Sequence, residues 1–85
     1  MQVQKLNVEE IVVSIIQAQT TTKIKTRQEY LIQDLSIDSF GLVQIIVSIE
    51  ERFNIEIPIE ILDVSRWQTV KDAVWIVSDI VKTRT

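Results

Sequence analysis

Asp38-Ser39-Phe40-Gly41-Leu42-Val43-Gln44-Ile45-Ile46-Val47-Ser48-Ile49-Glu50-Glu51-Arg52-Phe53 is the stretch that decides the fold. Asp38 and Ser39 are both good helix caps, and the apolar spacing behind them predicts a helix running to about Phe53. At about 100° per residue, Leu42, Ile45, Ile46, Ile49 and Phe53 share one arc, which must face a core. Phe40, Val43 and Val47 make a second apolar strip turned well away from the first, and Glu50 and Glu51 continue it. A helix in a small bundle needs one buried stripe. A second stripe rimmed by carboxylates points to a surface kept for docking.

Outward from this helix the pattern stays helical. Asn7 with Glu10 gives a capping-box-like start, Leu6 and Ile11 fit a hydrophobic staple around it, and Val8, Ile11, Val12, Ile15 and Ile16 recur at helical spacing. That helix should end near Gln19, before the β-branched run Thr20-Thr21-Thr22. Downstream, Ile55, Ile57, Ile59 and Ile61 alternate as a strand would, but Pro58 cannot sit in a paired central strand and suits a first helical turn. The reading is a loop over 54–57 and a short helix from Pro58 to about Val64. Thr69 with Asp72 opens the last helix, whose buried stripe is Val70, Ala73, Val74, Val77, Ile80 and Val81. Lys82 and Arg84 near its end suit the negative pole of the helix dipole. Trp75 projects off the stripe, and Trp67 reads as a core plug because of the area it buries. The expected fold is all-α: a small four-helix bundle of three longer helices and one short third helix. With no repeat or linker, residues 1–85 read as a single domain.

Composition limits the chemistry. The 85 residues include no histidine, no cysteine and one glycine, Gly41. Ser-His-Asp and Cys-His nucleophiles, Cys/His zinc sites, disulfides and glycine-rich phosphate loops are therefore excluded. A net charge of −3 gives no basic face for nucleic acid. Seven acids between Asp34 and Asp63 stand against Arg52 alone, while Lys23, Lys25 and Arg27 cluster elsewhere. No apolar run approaches membrane-spanning length and the start lacks a signal-peptide layout, so a cytoplasmic location is expected. Glu50 and Glu51 are neighbours on a helix and diverge by about 100°, so they do not converge on one substrate atom. The acids show no metal-binding loop spacing.

Asp38-Ser39 remains. On local spacing the pair reads first as a cap. The same geometry would also expose the hydroxyl of Ser39, and a phosphate attached there would meet backbone N–H groups and the positive end of the helix dipole. That suits a prosthetic group linked through a phosphodiester.

Asp34-Leu35-Ser36-Ile37-Asp38-Ser39-Phe40, continued by Glu50-Glu51-Arg52-Phe53-Asn54-Ile55-Glu56-Ile57-Pro58, resembles the acyl carrier protein family. The attachment motif Asp-Ser-Leu is matched with Phe40 in place of leucine, the Glu-Glu-x-Phe and Glu-Ile-Pro signatures stand at family distances, and the match covers about residues 28–81. The resemblance implies that Ser39 receives 4′-phosphopantetheine from coenzyme A through a separate phosphopantetheinyl transferase, which Asp38 helps to recognise. It implies an acyl cargo held as a thioester on the arm's thiol, a borrowed nucleophile for a chain without cysteine. The protein itself is then not an enzyme. Phe40, Val43 and Val47 fall at the family's docking positions, and Glu50 and Glu51 at its acidic ones. Its partners would be acyl-activating, synthase or transferase enzymes with basic docking patches, and it would act as a monomer.

The departures from the family pattern narrow the pathway. Gly41 and Gln44 stand where fatty-acid carriers have acids, which favours a polyketide, nonribosomal or specialised lipid pathway over housekeeping fatty-acid synthesis. Trp67-x-Thr69 and Val43-Gln44 are similar to D-alanyl carrier proteins, so an aminoacyl carrier is the alternative. An unmodified helical interaction module is the reading outside the carrier class.

Overall fold

The computed structural model describes residues 4–84, with side chains over 8–83. Three α-helices make the frame: α1 (Gln4–Gln17), α2 (Ser39–Phe53) and α3 (Val70–Arg84). Two 3-10 turns, Ile59–Ile61 and Val64–Arg66, lie between α2 and α3. Among the described residues there is no strand, only an isolated antiparallel bridge between Tyr30 and Thr69. The expected all-α class is what the chain adopts.

Each helix buries one stripe. Val8, Val12, Ile15 and Ile16 come from α1, Leu42, Ile45 and Ile49 from α2, and Val70, Ala73 and Val77 from α3. Fully burying such a side chain stabilises the fold by about 1.5–3 kcal/mol. Ile46, Phe53, Val74, Ile80 and Val81 pack at the margins of this core, half-buried. The connections contribute Leu31, Leu35, Ile37, Ile57 and Trp67, so the loops are part of the core and not a covering over it. Trp67 is the plug that its size suggested: it is buried, and its indole N–H donates to the Ile61 carbonyl at 2.6 Å.

The structure corrects three boundaries. The first helix begins at Gln4, so Asn7 lies inside it and does not precede it; the side chains of Leu6 and Asn7 fall outside the described ones. It ends at Gln17, earlier than Gln19, because after Ala18, which still donates to Ser14, the ladder tightens, Gln19 donating to Ile16. The Gln17 side chain then turns to the following loop, donating to the Thr22 carbonyl and accepting from the Ile24 N–H. The short third helix is not one α-helix. It is two 3-10 turns, because the Asp63 carboxylate accepts from the Ser65 N–H and restarts the chain at the point where an α-helix would have continued.

The N-terminus of α3 is sealed. Thr69 and Asp72 form the expected capping box, the Thr69 hydroxyl accepting from the Asp72 N–H and the Asp72 carboxylate from the Thr69 N–H, both at 3.1 Å. The next two orphan donors, Val70 and Lys71, give their N–H groups to the carbonyls of Glu29 and Arg27. The long connection between α1 and α2 is thereby tied to the start of α3.

Candidate functional site

The connection leading to Ser39 is built from local and long-range hydrogen bonds. The Asp34 carboxylate accepts from the Tyr30 N–H at 2.8 Å, and Asp34 and Leu35 donate back to the Tyr30 carbonyl. Leu31 pairs with Gln68 across the bridge, and Ile37 donates to the Leu31 carbonyl. The Thr20 hydroxyl reaches the Leu35 carbonyl at 2.7 Å. Leu31, Leu35 and Ile37 are all buried, so this segment is fixed from both sides. Ser36, between two of them, adopts a left-handed φ of 56°, a conformation these contacts hold in place.

Asp38 then caps α2. Its backbone is extended (φ −90°, ψ −175°), its carbonyl accepts from Leu42, and its Oδ1 accepts from the Gly41 N–H at 2.8 Å. Ser39 is the first residue of the helix and is exposed. Unlike α3, this helix start is open: no carbonyl or side chain of the described residues accepts from the N–H groups of Ser39 and Phe40. The first turn carries no acid.

Gly41 is the element that sequence reasoning missed. It is buried, and a Cβ there would lie 2.9 Å from Ile37 Cγ2 and 3.3 Å from Asp38 Oδ1. The glycine lets the capping carboxylate and the buried isoleucine occupy adjoining space, and so places Ser39. No sequence pattern carried that signal, since the contact depends on how the chain before the helix bends back.

The second strip of α2 faces solvent. Phe40 is 71% exposed, Val43 53% and Val47 41%. Glu51 is exposed, whereas Glu50 is half-buried and its Oε2 accepts from the Ile57 N–H at 3.0 Å. The structure therefore separates the two neighbouring acids. Among the described residues no cluster of acids could hold a metal ion, and no helix is long and apolar enough to cross a membrane.

Residues 8–74 match the family model described as "Phosphopantetheine attachment site". The chain belongs to the acyl carrier protein family. Among curated proteins it is similar to an acyl carrier protein of Helicobacter hepaticus, 44% identical over 43 residues, which are 51% of this chain and 54% of that one. The chain thus spans about half the length of the curated relative it matches. No solved structure matches it. Membership gives the chain the attachment site for a covalently bound 4′-phosphopantetheine, in a family that works with transferases and synthases.

The residues present fit that group. An acceptor hydroxyl must be reachable by a second enzyme, and Ser39 is exposed. A phosphate linked to it needs nearby donors and no fixed negative charge in the helix turn that follows, and the first turn of α2 supplies uncommitted N–H groups and no acid.

Proposed function

We propose that the chain carries acyl intermediates on a 4′-phosphopantetheine arm joined to Ser39, for a polyketide, nonribosomal or specialised lipid pathway. The observation that carries this reading is an exposed serine at the open start of α2, inside a matched phosphopantetheine-attachment family. When bound, the arm supplies the thiol that a polypeptide without cysteine lacks. Ser39 is the attachment residue. Asp38 holds the helix start in the geometry a phosphopantetheinyl transferase recognises. Phe40, Val43 and Val47 dock partner enzymes, with exposed Glu51 at the far end of the strip and Glu50 turned to the helix exit. The chain does no chemistry of its own: no catalytic groups converge among the described residues, and it presents cargo to acyl-activating, synthase or transferase enzymes. We take residues 1–85 to act as one domain, as a monomer, in the cytoplasm.

The absence of acids in the first turn of α2 supports a specialised pathway over housekeeping fatty-acid synthesis. The segment Trp67-Gln68-Thr69 supports the second reading, an aminoacyl carrier such as a D-alanyl carrier. Incubation with coenzyme A and a broad-specificity phosphopantetheinyl transferase should add one phosphopantetheine by intact mass, and Ser39→Ala should abolish the gain. No gain with several transferases would leave a helical interaction module. Charging the loaded protein with a D-alanine ligase against acyl-activating enzymes divides the two carrier readings.

A further inference from the structure

We infer that the two neighbouring acids at the end of α2 do different jobs: Glu50 is a positioning residue that fixes the chain leaving the helix, and Glu51 alone supplies negative charge to the docking strip. The Glu51 half of this rests on the docking reading of α2; the Glu50 half does not.

At about 100° per residue, Glu51 falls about 20° from Phe40, in line with Val47. Glu50 falls about 20° from Val43, at the edge of the strip nearer the core face of Leu42, Ile45 and Ile49, which agrees with its half-burial. Its hydrogen bonds are spent on the exit from the helix. The Glu50 carbonyl accepts from the N–H groups of Asn54 and Ile55, and its carboxylate accepts from Ile57. Asn54 makes the turn possible by adopting a left-handed φ of 54°. The result carries Ile57 into the core, where it is 4% exposed, just before Pro58, which has no N–H to give. Glu50 therefore extends the reach of the helix end with its side chain, giving the Ile57 N–H an acceptor beyond the one its carbonyl offers to Asn54 and Ile55.

Glu51 is exposed and takes no part in this arrangement. From Ser39 to Ile49 the helix carries no charged side chain. A partner approaching along α2 meets Phe40, Val43 and Val47 and then a single usable carboxylate. The surface that fits it is an apolar concavity with one cationic side chain beyond its end, and not an extended basic patch. Such recognition is governed by apolar contact and depends only weakly on salt.

The test compares Glu50→Gln, Glu50→Ala and Glu51→Gln in the full chain, by amide hydrogen exchange at Ile57 and by the rate of Ser39 loading with a broad-specificity phosphopantetheinyl transferase at low and raised salt. Glu50→Ala should speed Ile57 exchange at least tenfold. Glu50→Gln should restore slow exchange, because an amide oxygen still accepts, and should load within twofold of the parent. Glu51→Gln should leave Ile57 exchange unchanged and raise KM for loading by about three- to fivefold at low salt, with the difference shrinking as salt rises. Unchanged exchange in Glu50→Ala, or equal loss of loading in Glu50→Gln and Glu51→Gln, overturns the assignment. If the parent protein is not loaded at all, the carrier reading and the Glu51 role fall together, and Ile57 exchange still decides the role of Glu50.

Discussion

Replacing Gly41 by alanine tests whether Ser39, the proposed attachment residue, is placed by packing. By helix propensity alone the change should help, by up to about 1 kcal/mol in a helix interior and less this close to the cap. The geometry opposes it. The new Cβ would lie 2.9 Å from Ile37 Cγ2 and 3.3 Å from Asp38 Oδ1. The Ile37 methyl is not the free end of a flexible chain. It branches from the Cβ of a β-branched residue that is 2% exposed, so relief requires a rotamer change in the core or a shift of backbone. Overpacking of this kind costs about 1–3 kcal/mol, and loosening the Asp38 cap about 1 kcal/mol more. After the propensity gain, the net expected destabilisation is about 1–3 kcal/mol. In a domain of this size that lowers Tm by roughly 5–20 °C. Urea and thermal unfolding followed by far-ultraviolet circular dichroism measure it. In an Ile37→Ala background the penalty should shrink, since the clashing methyl is gone, and the double-mutant cycle isolates that term. A Gly41→Ala protein as stable as the parent or more stable, or one whose penalty is the same in both backgrounds, would refute the reasoning.

The exposed strip and the buried plug give opposite expectations. Val43→Glu and Val47→Glu change solvent-facing positions, so each should stay within about 0.5 kcal/mol of the parent and keep its helicity while partner transfer falls; unfolding of either would make the strip part of the core. Trp67→Ala should cost about 3–5 kcal/mol by urea unfolding. Trp67→Phe should cost less, though it leaves the Ile61 carbonyl without its indole donor. In the Trp75→Phe background the remaining Trp67 fluorescence should be blue-shifted and shielded from acrylamide, whereas Trp75, 64% exposed, should be readily quenched in Trp67→Phe.

What was legible in the sequence follows the range of the interaction concerned. The α2 helix ran over the expected residues, with its two strips on the expected sides, because periodicity within one helix is a local property. The Thr69–Asp72 capping box was legible for the same reason. The start of α1 was not, since an asparagine at the fourth described position of a helix looks in sequence like one in front of it. Nor was the break in the third element, where a single carboxylate at Asp63 splits what apolar spacing would join. The Glu50–Ile57 contact spans seven residues across a helix end, beyond any local pattern. The wheel position of Glu50, at the edge of the strip nearer the core where Glu51 lies at the far edge, was the one signal that the two differ.

The irregular connection between α1 and α2 carries more of the site than its sequence suggested. On the proposed reading, Ser39 is offered to a series of enzymes, so the serine itself cannot be held by the fold, yet its position has to be constant for each of them. The chain meets both demands by putting the constraint before the serine. Thr20 anchors the connection to the end of α1, Leu31 bonds to Gln68, and the carbonyls of Arg27 and Glu29 receive the first N–H groups of α3. Leu31, Leu35 and Ile37 then pin the segment to the core, and the Asp38 cap turns it into α2. Loosening any of these would let the start of α2 move without touching Ser39. Weakened loading in a Thr20→Val or Leu31→Ala variant is therefore expected as a rise in KM, while the serine stays fully reactive at saturating transferase.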